Sequence, residues 1–175
     1  MKVSIENDPL SAYAHAVTAM VIARSGIEDG LSTALKAVEF QSEAFLPWHM
    51  LGNCYHWSGN FKKATDAYSR ALEVSGRHAW TLAALLVNFV EAKQTKEAER
   101  IYYELLLRSK TGHVLPSLLA TASAAMGKVD DAMRYCQEAY ETHDAYLVMG
   151  FNNWPDNKYL KAIPAYGEFF KRFGL

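Results

Sequence analysis

Trp48-x2-Leu51-Gly52-x2-Tyr55-x8-Ala64-x3-Tyr68-x2-Ala71 is the stretch that decides how this chain folds. Trp48, Leu51 and Tyr55 recur at three- and four-residue intervals, as do Ala64, Tyr68 and Ala71, and this spacing puts each group on one face of an α-helix. Gly59-Asn60 breaks the chain between the two stripes, and Gly76 stands where the second should end. The product is a helical hairpin in which one stripe packs on the other. Gly52 leaves no side chain at the crossing, so its use is close approach rather than chemistry.

The pattern repeats. A step of about 34 residues leads to Leu82, Leu85, Leu86 and Phe89, then Ala98, Tyr102 and Leu105. Large and small apolar residues stay in register, although Leu86 replaces the small residue and the turn Glu91-Ala92-Lys93-Gln94-Thr95 has no glycine. A further step gives Pro116, Leu119, Ala120 and Ser123, then Ala132, Cys136 and Ala139, with Gly127-Lys128-Val129-Asp130 as the turn. Pro116 fits the first turn of its helix, where the missing amide costs least.

These residues resemble the tetratricopeptide repeat family, with Trp48, Leu51, Gly52 and Tyr55 on the first helix of the motif and Ala64, Tyr68 and Ala71 on the second. The resemblance implies an all-α fold, a right-handed superhelical stack of antiparallel helix pairs. It divides a single helical repeat domain, 1–175, into units at 45–78, 79–112 and 113–146. Before them, Pro9 to Arg24 is rich in alanine and Ile27 to Gln41 carries Leu31, Ala34, Leu35 and Val38 at helical spacing, a divergent amino-terminal hairpin over 8–42. After them, Trp154-Pro155, Asn157-Lys158 and Ile163-Pro164 punctuate a capping segment, 147–175. There Tyr146, Leu147, Phe151 and Trp154 are expected to cover the last repeat, and Ala165 to Phe173 to form a terminal helix. The run from Gly112-His113 through Gly127-x2-Asp130 to Phe169-Phe170-x2-Phe173-Gly174-Leu175 is also similar to the repeat region that ends many bacterial signalling and transcription-regulator proteins. The start at Met1 and the capped-looking ends are those expected of a free-standing domain.

The 175 residues are 50% hydrophobic and 21% charged, enough to bury a substantial core. A net charge of -1 gives no general attraction to nucleic acid or to an anionic membrane. The cluster Lys158, Lys161, Lys171 and Arg172 is a modest local exception, read as solvated surface. No lysine- or arginine-flanked apolar leader and no long apolar span occur, so a cytoplasmic protein is expected. Cys54 and Cys136 fall in different units at interior helical positions and read as buried thiols.

The 10 tyrosines and 4 tryptophans exceed what a minimal helical core needs and suit contact with a partner. The motif aromatics Trp48, Tyr55, Tyr68, Phe89 and Tyr102 are assigned to the core. The candidate site is polar and lies beside them: His49, Asn53, His56 and Trp57 share one side of the first repeat helix, the side that faces the concave groove in the family. Equivalent positions in later units are Trp80, Ala83, Val87, Val90 and Glu91, then Ser117 and Thr121 among mostly apolar neighbours. Asn53 fits a carboxylate-binding place used by some members, whereas His49 and Ala83 depart from that pattern. A mostly apolar groove instead suits an amphipathic helix or an extended hydrophobic segment. His49 and His56 would lie about 10.5 Å apart along the axis, too far to chelate one metal ion simply.

No phosphate-cradling glycine loop, dinucleotide fingerprint, zinc-protease helix or nucleophile elbow occurs. Glu97, Glu99 and Glu104 are read as solvated or ion-paired within one helix. The expectation is a non-enzymatic scaffold without cofactor or metal, which binds a peptide or helix of a partner protein in its groove. The alternative is a self-association module that forms a homo-oligomer through a solenoid edge or the carboxy-terminal segment.

Overall fold

The computed structural model describes residues 29–112, 114–150 and 157–173. Every regular element among them is helical, and the chain divides into two compact units, Met1–Asn88 and Phe89–Leu175.

The first unit contains α1 (Asp29–Phe40), α2 (Phe45–Trp57), α3 (Phe61–Ser75) and all but the end of α4 (Ala79–Glu91). α2 packs on α1 on one side and on α3 on the other. Ala34, Leu51, Cys54 and Ala67 form a small-residue core, with Leu31, Val38, Trp48 and Tyr55 packed around it. Trp48 and Tyr55, assigned to the core by the motif, are therefore half-buried at its edge, while Tyr68 is fully buried. The Trp48 indole N–H leaves the apolar cluster to donate to the Ser42 carbonyl, 2.7 Å away. Of the expected hairpin over 8–42, α1 is the described part; residues 1–28 lie outside the described residues.

Gly52 explains how α2 and α3 come so close. A Cβ at this position would lie 2.5 Å from the Tyr68 ring carbons, well inside contact distance. The ring lies over the bare backbone and its hydroxyl reaches Asn53 Oδ1 at 2.7 Å.

The second unit runs from the end of α4 through α5 (Thr95–Ser109), α6 (Pro116–Ala125), α7 (Val129–Glu141), α8 (Ala145–Gly150), α9 (Lys158–Lys161) and α10 (Pro164–Phe173). Ala98, Ile101, Tyr102 and Leu105 form the buried stripe of α5; Ala132, Tyr135, Cys136 and Ala139 form that of α7. α6 is buried nearly all round and packs on α5, α7 and α9. Pro116 occupies its first turn as expected.

Asp144 ties the end of this series together. Its carboxylate accepts from the backbone N–H of Ser117 at 3.0 Å and from that of Tyr146 at 2.9 Å, so one buried side chain serves the starts of α6 and α8. α10 places Tyr166, Phe169 and Phe170 on its buried side, with Lys171 and Glu168 paired on the outer one. In α5 the charged run resolves as expected: Arg108 pairs with Glu104 one turn earlier at 3.2 Å. Among the expected covering residues Leu147 is buried, whereas Phe151 and Trp154 lie outside the described residues.

Candidate functional site

In the first unit the polar side chains of α2 and α4 meet in register. His49 Nδ1 and Thr81 Oγ1 share a hydrogen bond at 3.0 Å; two turns on, His56 Nδ1 and Asn88 Oδ1 lie 3.0 Å apart. The second pair has a defined polarity. Asn88 Nδ2 donates to the Phe61 carbonyl at 3.0 Å and to Thr65 Oγ1 at 2.9 Å. Its oxygen must therefore face His56, and Nδ1 carries the imidazole proton.

Burial sorts the candidates. His49, Asn53, Ala83 and Val87 are buried, so they form the ground beneath the face rather than its contact surface. His56, Trp57 and Trp80 are half-buried and carry aromatic area outward. Trp80 packs on Met50 and lies against the His49 ring with centroids 4.2 Å apart; Phe45 and His78 stack beside it at 4.8 Å. The sequence missed Phe45 and His78 because neither is a motif position, and the stack forms only when the starts of α2 and α4 are adjacent.

Burial first, and the nearby His78 second, lower the His49 pKa to about 3, so this ring is neutral at physiological pH. Its Nε2 is buried without a hydrogen-bond partner among the described residues. A neutral imidazole with one satisfied nitrogen is a packing element with a hydrogen bond, not a proton shuttle. Burial likewise pushes the Cys54 and Cys136 thiols up to about 12, which keeps both protonated at physiological pH.

In the second unit, the candidates Glu91 and Thr121 are engaged by the chain itself, while Ser117 Oγ is buried without a hydrogen-bond partner among the described residues. Ser117 and Thr121 are buried. Thr121 Oγ1 lies 3.0 Å from Asn157 Oδ1, just before α9, and 3.1 Å from the Ser117 carbonyl one turn back, so its single proton is shared between two acceptors. Glu91 accepts from the Tyr159 hydroxyl at 2.8 Å and pairs with the Lys158 ammonium. Burial, followed by the Glu91 carboxylate, raises the Tyr159 phenol well above its usual pKa, so it stays protonated and donates. The sequence placed Asn157-Lys158 as punctuation in a cap and gave no sign of these partners.

Among the described residues no group of three or more His, Cys, Asp or Glu is arranged to hold a metal ion, and no helix is long and apolar enough to cross a membrane. These faces offer aromatic area, hydrogen-bonding groups and the Glu91 carboxylate.

Comparison with known proteins agrees with the helix-pair architecture. A chain in the solved structure of Naa15/Naa10 bound to HypK-THB is similar over 99% of this chain, with a TM-score of 0.53 and 17% sequence identity. At that identity the likeness is one of fold, and this chain spans 25% of the length of that one. No curated protein matches. The family model for the tetratricopeptide repeat matches residues 11–151, most of the sequence and all three motif units. Those paired helices, with Gly52 under Tyr68 and the repeated turns that follow, make the chain a member of the tetratricopeptide repeat family.

Proposed function

We propose that this protein is a non-enzymatic interaction scaffold whose first-unit face, built on α2 and α4, binds a peptide or helix of a partner protein. The observation that carries this reading is the half-buried aromatic set His56, Trp57 and Trp80. It stands on a floor fixed by the His49–Thr81 and His56–Asn88 hydrogen bonds. Rigid aromatic side chains lose little entropy on binding, and a pre-organised floor keeps that cost low. The apolar surroundings favour an amphipathic or extended hydrophobic segment over a terminal carboxylate.

The test is affinity capture with the whole chain, followed by the affinity of the captured partner for Trp80→Ala and His56→Ala variants. Each substitution should weaken binding at least about 10-fold, the range of an interface anchor, with helicity unchanged by circular dichroism. Retention of full affinity by both variants would sink the proposal.

A second reading is favoured by one observation. Tyr103 and Leu107, one turn apart on α5, are 64% and 66% exposed. Adjacent large apolar groups in water suit contact with a second copy. Light scattering over a wide concentration range tests this: a dimer that dissociates in Tyr103→Ser/Leu107→Ser supports it, and a persistent monomer rules it out.

A further inference from the structure

The first-helix positions of the second unit are held by a part of the same chain that the repeat pattern does not specify. α9 packs on α6. Three polar contacts fix it: Asn157 on Thr121, Lys158 on Glu91, and Tyr159 on Glu91. Glu91 ends α4 and Thr121 lies in α6, so these are successive first helices of the repeat pattern. α9 spans only Lys158–Lys161 and cannot support itself as an isolated helix. Its conformation therefore depends on the seat. Leu160 and Ile163 bury the apolar side of the segment, while Lys158 keeps its side chain 57% exposed, within reach of water and of a competitor.

We propose that the segment from Asn157 to Lys161 is a built-in ligand of the second unit, and that the external partner of this face is a basic segment of similar chemistry. That partner puts an ammonium group on Glu91 and a hydrogen-bonding side chain on Thr121, and follows them with apolar residues in place of Leu160 and Ile163. The inference rests on reading the chain as a scaffold, and gives this second face its own partner class.

The polar character of the seat supports exchange over a purely structural cap. In this pair the ammonium is 57% and the carboxylate 17% exposed, and a partly desolvated pair gives modest net stability while it strongly selects the sign of what binds. A tethered ligand acts at an effective concentration on the order of 1 mM. With an intrinsic Kd of about 10 μM for the resident segment, any competing free segment sees its affinity reduced roughly 100-fold. The resident segment thus sets a threshold that admits only a better-matched partner.

The experiment uses a labelled peptide with the sequence of residues 157–173, titrated into the full-length chain and read by fluorescence anisotropy. The Lys158→Ala/Tyr159→Phe chain, whose own segment is loosened, is expected to bind the peptide at least 10-fold more tightly than the wild-type chain. Adding Glu91→Gln should remove that gain, whereas Trp80→Ala should not. Equal binding by the wild-type and loosened chains, no binding by either, or binding indifferent to Glu91 would overturn the proposal. Hydrogen exchange on the full chain gives an independent reading. Glu91→Gln should accelerate exchange in 157–173 and leave α2 and α3 unchanged; no change, or a uniform rise, also overturns it. Because the first-unit face is scored separately by Trp80→Ala, a failure here leaves that proposal standing and the reverse.

Discussion

Gly52 and Tyr68 show how one missing side chain fixes a helix crossing. The Tyr68 ring cannot swing aside, since it is fully buried and its hydroxyl is bonded to Asn53. Gly52→Ala gains up to about 1 kcal/mol of helix propensity but drives a methyl group into that ring. Overpacking of this kind costs about 1–3 kcal/mol, so a net loss is expected in urea denaturation, with part recovered by Tyr68→Leu in the same chain. Tyr68→Phe should cost about 1–3 kcal/mol by leaving Asn53 Oδ1 buried without its donor. His49 makes a prediction about pH. Its folded pKa of about 3 lies below the unfolded value near 6.5, so between these limits the unfolded chain binds the extra proton. The stability present above pH 6.5 is then lost as the pH falls, with a slope approaching about 1.4 kcal/mol per pH unit from this residue. Chemical denaturation from pH 7 to pH 4 should show a shallower decline in His49→Gln than in the wild type; parallel curves would refute the assignment. The sequence put His49 and Asn53 on one side of α2 with His56, and the structure buries both. Helical spacing gives an azimuth, whereas depth depends on the helices packed over it.

The turns carry the repeat at the scale of the element. Gly59, Lys93 and Gly127 all have left-handed backbone, with φ of 76°, 59° and 71°. They recur at the repeat interval of about 34 residues. The same closing bonds follow each: Asn60 N to Tyr55 O, Gln94 N to Phe89 O, and Lys128 N to Ser123 O, all at 2.8–2.9 Å. Gly59 and Gly127 were legible as turns because glycine adopts this conformation freely. The turn at Lys93 was legible only from the repeat interval, and its left-handed residue was not, because lysine does not favour that conformation. Lys93→Gly should therefore stabilise the protein, by about 0.5–1 kcal/mol, seen as a raised Tm. Asp144 is the opposite case, a residue whose value lies in what it joins. Asp144→Ala should cost about 1–3 kcal/mol by leaving two amide groups at the starts of α6 and α8 without their acceptor. A loss below about 0.5 kcal/mol would mean that water replaces the carboxylate there.

For the molecule, the motif residues made the helix-pair architecture readable because each unit spells the same buried stripe. The occupancy of the second unit's face was not readable. Repeat spacing ends before α9, and the pairing of Glu91 with Lys158 and Tyr159 joins residues far apart in sequence. The chain then presents two faces with different chemistries, an aromatic one on α2 and α4 and an acidic seat held by its own basic segment. The most direct test is quantitative affinity capture with three full-length baits: wild type, Trp80→Ala, and Tyr103→Ser/Leu107→Ser. The account predicts a partner that binds directly to the purified wild type and to the α5 variant but at least about 10-fold more weakly to Trp80→Ala, at equal helicity. Equal binding by all three, or loss confined to the α5 variant, would contradict it.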